Sequence, residues 1–421
     1  MTNLKNYIQD FISRAGSYVF TATIVARLLS FLASWIALQF IPNKELGIVL
    51  FAYSIIAFVI PIGGLGLHQS LIRYGALLKT NEERNSLFVY VFKKGVIATV
   101  ILIVFIIVVS FLIPFQFKNA NYYVAGLSII LLPSYVFELI KIQFRLQHNN
   151  KQFSFTEVVY NVVLVLSVLI LSYTYQEIGY AVALIITPLF SIAFFIKKLK
   201  IKFKAAKKLT ITDVSFWKYG FFASLSNVTT QLLFVIDILL IGYLLNDAEM
   251  VTTYKYISLI PLSLLFLPRV FINTDFVTFT ENIYDKKYIT NYIKNYVLLF
   301  SFISIVFFSI LGLFSKPILD LFDTDFYQYN TTFLLLLLGI CGILILRGLF
   351  GNLLSSIGKA HINFYITGLA LLLNLLCNYY LIPAFGIRGA AITSASFMWC
   401  TGIASALLFW MLYNKRFLNK K

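Results

Sequence analysis

Five ionisable side chains of this 421-residue chain stand inside long apolar runs: Arg27, Glu138, Asp237, Lys255 and Arg347. At membrane depth each costs about 2.5–3.5 kcal/mol on insertion scales, so such groups face a cavity or a partner. Arg27 and Arg347 have no acid within one helical turn along the sequence and are expected to face a cavity. Arginine carries a planar, permanently charged fork that matches phosphate oxygens, and it is less strongly hydrated than lysine. An excess of cations within apolar surroundings suits an anionic guest, because a lone buried charge is prohibitive. Lys255 lies near the end of its run, where it either lifts its amine to the interface or joins the same cavity. Asp237 is the sole acid between Phe216 and Leu245, bracketed by Val235-Ile236 and Ile238-Leu239. It must pair across helices, face water or stay protonated. In a transporter such a carboxylate couples movement to a cation gradient; a structural interhelix pair is the equal alternative. Glu138 precedes Lys141 by three residues on one helical face. That is the spacing of a local ion pair, with a functional role as the other reading.

Other patterns are silent. No Walker loop, nucleophile elbow, Gly-rich dinucleotide fingerprint or acidic metal cluster occurs, so neither an enzyme nor a cofactor is expected. Asp320, Asp323 and Asp325 read as a solvated loop, and His68, His148 and His361 are too scattered for a metal site. Cys341, Cys377 and Cys400 fall in apolar runs as small core residues, with no disulfide framework. Asn161, Gln231, Asn352, Asn374 and Asn378 are read as helix–helix glue, about 1 kcal/mol each, in preference to sugar binding.

Spanning helices must carry these side chains. Hydrophobic residues make up 60% of the chain and charged residues 12%, about half the roughly 25% of a soluble domain, which marks a membrane protein. A net charge of +17 on so apolar a chain excludes most soluble enzymes and nucleic-acid binders, whose basic faces sit on polar chains. A span needs about 20 apolar residues. Twelve stretches qualify, near 18–41, 46–67, 92–114, 122–145, 154–174, 179–197, 217–244, 251–271, 291–314, 330–355, 362–382 and 387–412. None alternates like a barrel strand, so the spans are helical. The polar start and the lack of a small-residue cleavage site point to a retained first helix.

With the amino terminus in the cytoplasm, 27 of the 34 Lys and Arg residues fall on that side, five outside and two within the membrane. Both termini are therefore placed in the cytoplasm. Eight lysines between Lys197 and Lys218 act as a topology signal and attract anionic lipid, by about 1 kcal/mol each. This basic linker, 199–216, separates lobes 1–198 and 217–421, of six spans each. Ser13–Phe117 and Ser215–Phe322 share one plan. His148-Asn149-Asn150-Lys151 precedes span 5 as Gly358-Lys359-Ala360-His361 precedes span 11, and Ile178-Gly179-Tyr180-Ala181 opens span 6 where Arg388-Gly389-Ala390-Ala391 opens span 12. Six is even, so the repeat is parallel, about an axis along the membrane normal. The expected class is an all-α polytopic membrane protein with 12 transmembrane helices in two pseudo-symmetric six-helix lobes. The same alignment makes Glu138 and Arg347 equivalent positions that could pair across a central cleft.

Short motifs then carry a resemblance along the whole chain. They are Arg27-Leu28-Leu29 with Ile41-Pro42-Asn43-Lys44-Glu45-Leu46-Gly47, and Gly64-Leu65-Gly66-Leu67 with Ser70-Leu71-Ile72-Arg73-Tyr74. Further on come Asp237-Ile238-Leu239-Leu240-Ile241-Gly242-Tyr243, Leu267-Pro268-Arg269, and Asn374…Asn378, Ile382-Pro383…Gly386…Gly389-Ala390-Ala391…Thr393. In this order they resemble the bacterial polysaccharide-exporter family, and within it the O-antigen flippase (Wzx-type) branch. Its superfamily (MOP) also holds multidrug and toxic-compound extruders and the peptidoglycan-precursor flippase MurJ. The resemblance implies two lobes in a V that alternates access in the cytoplasmic (inner) membrane. It implies a polyprenyl-pyrophosphate-linked oligosaccharide as passenger, membrane lipids around it, and H+ or Na+ as coupling ion. It also implies a polysaccharide polymerase and chain-length regulator as partners. By motif, Arg27, Lys255 and Arg269 become headgroup candidates and Asp237 the coupling candidate; Arg347 joins the headgroup set on burial alone. The alternative is a cation-coupled small-molecule exporter of the same superfamily, whose usual acidic cavity sits badly with embedded arginines. A membrane-embedded glycosyltransferase or polymerase would need larger loops than this chain has.

Overall fold

Amides cannot stay unpaired in hydrocarbon, so each apolar run must coil into helix. The structure, a computed structural model, describes residues 17–418 except 79, 148, 200, 202–211, 269–270, 272–281 and 358, and no strand occurs among them. Its longer helices are α1 (Ser17–Phe40), α2 (Asn43–Val59), α3 (Leu67–Leu77), α4 (Asn81–Leu112), α5 (Ala120–Ser128), α6 (Leu131–Leu146), α7 (Asn150–Phe195) and α8 (Val214–Leu245). After them come α9 (Ala248–Ser263), α10 (Lys286–Leu313), α11 (Asn330–Gly342), α12 (Gly348–Ser356), α13 (Ala360–Phe385) and α14 (Ile387–Leu418). A 3-10 segment, Ile60–Gly66, links α2 to α3, and a π turn, Ile343–Arg347, links α11 to α12. The Arg269 and His148 positions and most of the basic linker 199–216 lie outside the described residues.

Eleven helical stretches among the described residues are long and apolar enough to cross a membrane, yet one of them holds two spans. Lys151–Leu199 is 49 residues long, which at about 1.5 Å per residue far exceeds roughly 30 Å of hydrocarbon. Gln176 breaks it with φ 49° and ψ −126°. A Cβ on Gly179 would fall on the Leu171 carbonyl, so the chain returns past its own backbone where only glycine fits. Ten single spans and this hairpin give the expected twelve. The hairpin recurs 210 residues later (176 to 386): Gly386 has φ 59° and ψ −143°, and a Cβ on Gly389 would fall on the Leu381 carbonyl. The turn before each hairpin matches too, with the Asn149 amide 2.9 Å from the Phe144 carbonyl and the Lys359 amide 2.9 Å from that of Leu354. The repeat is thus present in backbone geometry. Its offset matches Glu138 to Gly348, one residue from Arg347, and one residue is about 100° of helix rotation. The two charges are neighbours in this register, and Arg347 itself ends the π turn that precedes the matched stretch.

α4 shows what surrounds the spans. Ile97, Val100, Ile101, Val104, Phe105, Val108, Phe111 and Leu112 recur every three or four residues and are 44–75% exposed. A stripe that large would aggregate in water, whereas acyl chains are as apolar as leucine.

Tertiary contacts group Thr21–Thr252 into one compact unit and Thr253 onward, with the start of α1, into another. α8 therefore packs in the first unit, on α2, α3 and the Ile60–Gly66 segment, although it follows the basic linker. Small residues allow the approach: Gly66 and Gly220 meet backbone to backbone beside Ser224. The Ser70 hydroxyl donates to the Phe216 carbonyl at 2.6 Å across the same contact. Leu71, Leu87, Phe88, Leu139, Phe144 and Phe195 form the core beneath.

Candidate functional site

The first unit lines an open cavity of about 270 Å³. The break between α2 and α3 forms part of its wall, with positive φ at Gly64, Leu65 and Gly66 (59°, 50° and 74°). A break at membrane depth frees backbone groups that the protein must satisfy. The Gly64 amide donates to Thr99 Oγ1 at 2.9 Å, and the Thr99 hydroxyl donates to the Gly95 carbonyl at 2.7 Å. His68, 6% exposed and two residues past the break, lines the cavity. α6 adds Glu138 and Lys141, whose Nζ lies 2.8 Å from Glu138 Oε2. From α7, Glu157 Oε1 accepts a second bond from Lys141 Nζ at 2.8 Å. Tyr53, Tyr135 and Tyr160 complete the titratable lining.

The local pair read from the 138/141 spacing therefore forms, as half of a triad. Glu157 was missed although it stands at the start of the 154–174 run. Its partner is sixteen residues away, across the α6–α7 turn, where helical periodicity has no reach. Its own embedded charge was the usable signal. Two carboxylates against one ammonium leave the triad with one net negative charge.

Arg347 ends the π turn of the second unit. Such turns are rare and often mark functional positions. Its guanidinium donates to Asn363 Oδ1 at 2.9 Å and Thr367 Oγ1 at 3.1 Å on α13, and to Ser405 Oγ on α14. Asn363 is itself fixed, donating to the Gly351 carbonyl at 2.7 Å. All the acceptors are neutral, and no carboxylate pairs with Arg347 among the described residues. The charge is positioned but not neutralised. The repeat offset matches Thr367 to Glu157, so one place in the fold holds a hydroxyl in the second repeat and an acid in the first.

The remaining candidates are placed less fully. Asp237 is 5% exposed between buried Val235, Ile236 and Ile238, and it has a polar partner. Lys255 is half-buried on α9, and its amine has no hydrogen bond or ion pair among the described residues. Arg27 is exposed on α1, likewise without such a partner. The partners seen for Glu138 and for Arg347 each lie within their own unit. Of the amides read as glue, Asn161 and Asn352 donate to carbonyls four residues earlier in their own helices, at 2.8 Å each.

Residues 12–257 match the family described as polysaccharide biosynthesis protein. No curated protein sequence matches the chain. A multidrug resistance MATE family transporter of the MOP superfamily, in its inward-facing conformation, superposes with TM-score 0.71 at 15% identity, over 93% of this chain and 98% of that one. The lipid II flippase MurJ, inward closed, gives TM-score 0.70 at 15% identity over 94% and 92%. A MOP superfamily transporter from Pyrococcus furiosus gives 0.62 at 15% over 96% and 95%. At such identity the likeness establishes the fold, the expected all-helical, two-lobed membrane class. The family match spans more than half the sequence: the chain belongs to the polysaccharide biosynthesis protein family, multi-pass membrane proteins, and has the fold of MOP superfamily transporters.

Proposed function

We propose that this protein is a flippase that carries a polyprenyl-pyrophosphate-linked oligosaccharide outward across the cytoplasmic membrane. Access alternates between the lobes 1–198 and 217–421, both termini are cytoplasmic, and a cation gradient drives the cycle. The observation that carries this reading is Arg347, a guanidinium held among neutral oxygens inside an apolar span with no carboxylate to neutralise it. A fixed cation of that kind fits a pyrophosphate, which Arg recognises through its planar fork. An exporter of cationic amphiphiles would be repelled by it. The fold shared with a lipid II flippase supports a lipid-linked passenger. Arg27, Lys255 and Arg269 are the further headgroup candidates, and Asp237 is the coupling candidate.

Deleting the gene in its own host is expected to leave lipid-linked repeat units on the cytoplasmic leaflet and to remove the surface polysaccharide. Plasmid-borne wild type restores it. Failure to make the units at all, or a change in polymer length alone, would sink the flippase reading. Raised drug susceptibility with normal polysaccharide would move the protein to small-molecule export.

A further inference from the structure

We propose that the first-unit cavity binds one exchangeable proton on His68, balanced by the Glu138–Lys141–Glu157 triad. The link to transport rests on the proposed function, and it names a coupling ion and a site for it other than Asp237. Lys141 engages Glu138 Oε2 and Glu157 Oε1, leaving one oxygen of each carboxylate without a protein partner among the described residues. The triad's net negative charge faces that cavity, the Glu138 and Glu157 side chains being 40% and 38% exposed to it. His68 supplies the other half. Its Nδ1 is buried in the wall of that same cavity with no hydrogen bond of good geometry, and the Gly63 carbonyl is the backbone acceptor that acts on the imidazole. Buried polar atoms are nearly always bonded, so an orphan of this kind calls for an explanation. No ion pair joins His68 to either carboxylate among the described residues, so a proton on the imidazole would offset the surplus charge through the cavity they line together.

Histidine changes charge closer to neutral pH than any other unperturbed side chain. The groups acting on His68 come from every neighbouring element. α6 brings Glu138, Lys141 and Tyr135, whose ring centroid is 6.2 Å from the imidazole. Tyr53 comes from α2, and Glu157 and Tyr160 from α7. α4 meets the broken segment through Thr99, and α8 meets α3 through the Phe216 carbonyl, Gly220 and Ser224. On α3 itself, Arg73 stacks over the Tyr219 ring at 4.3 Å, so its charge has a partner of its own. His68 also sits two residues past the non-helical Gly63–Gly66 backbone. Loading the proton thus acts next to the break in the second span, where the backbone leaves helical geometry.

The chain has three histidines, so the full-length protein in lipid nanodiscs, labelled with 15N-histidine, gives a tractable imidazole spectrum. H68Q assigns the His68 signal, and H148Q with H361Q assigns it by elimination if H68Q does not fold. Between about pH 5 and 8 the wild-type His68 signal is expected to pass from the charged to the neutral form. In E157Q the remaining Glu138–Lys141 pair is neutral, and His68 should stay neutral throughout; E138Q, which leaves Lys141–Glu157, should do the same. A wild-type His68 that stays neutral over the range overturns the proposal. So does an E157Q signal that titrates as wild type does, or one in wild type that sodium displaces at constant pH. None of these readouts involves the passenger, so they stand or fall apart from the flippase reading.

Discussion

Replacing Arg347 with Met removes the charge and keeps most of the side chain's length. Three hydrogen bonds are lost, to Asn363, Thr367 and Ser405. Side-chain hydrogen bonds between membrane helices average about 0.6 kcal/mol, so their loss costs about 2 kcal/mol together. The acceptors keep their own bonds: the Thr367 and Ser405 hydroxyls still donate to the Asn363 and Thr401 carbonyls at 2.7 Å each. Against this loss stands the charge itself, which costs about 2.5–3.5 kcal/mol at the centre of a span. R347M is therefore expected to fold as stably as wild type or to gain about 1 kcal/mol. The same variant should export no polysaccharide. Unfolding in a denaturing detergent series, followed by tryptophan fluorescence from Trp399 and Trp410 on α14, measures the first quantity, and complementation of the deletion measures the second. A loss of stability of about 3 kcal/mol or more would make Arg347 a structural strut with all three bonds at full strength. Full export by R347M would remove it from the headgroup set.

R27A and K255A should each lose surface polysaccharide with normal membrane insertion; retained export by either returns that residue to a structural role. G179V should press its side chain onto the Leu171 carbonyl and G389V onto that of Leu381, each destabilising by about 1–3 kcal/mol. G126A, where nothing lies within 4 Å, serves as the control in the same unfolding series, and equal behaviour of all three would contradict the hairpin. In a cysteine-free background, Q176C should react with an impermeant thiol reagent on intact cells and Q147C only after permeabilisation. Labelling of both from one side would reduce α7 to a single span.

Apolar run length made the spans legible from residue order alone, because hydrocarbon thickness fixes how many residues a helix must hide from water. The 210-residue repeat was legible for a similar reason: Gly179 and Gly389 answer a steric demand within a few residues of chain. So was the Glu138–Lys141 pair, whose spacing places both on one face. Tertiary packing decided the rest. It brought Glu157 to Lys141 and His68 into the same cavity wall, surrounded Arg347 with neutral oxygens from α13 and α14, and set α8 against Gly66. These contacts depend on how far each helix is turned about its own axis. A break such as Ile60–Gly66 or a π turn such as Ile343–Arg347 resets that rotation by amounts that periodicity does not carry. Residue order places these charges within apolar spans; packing selects which of them find a partner, because one residue of register is about 100° of direction.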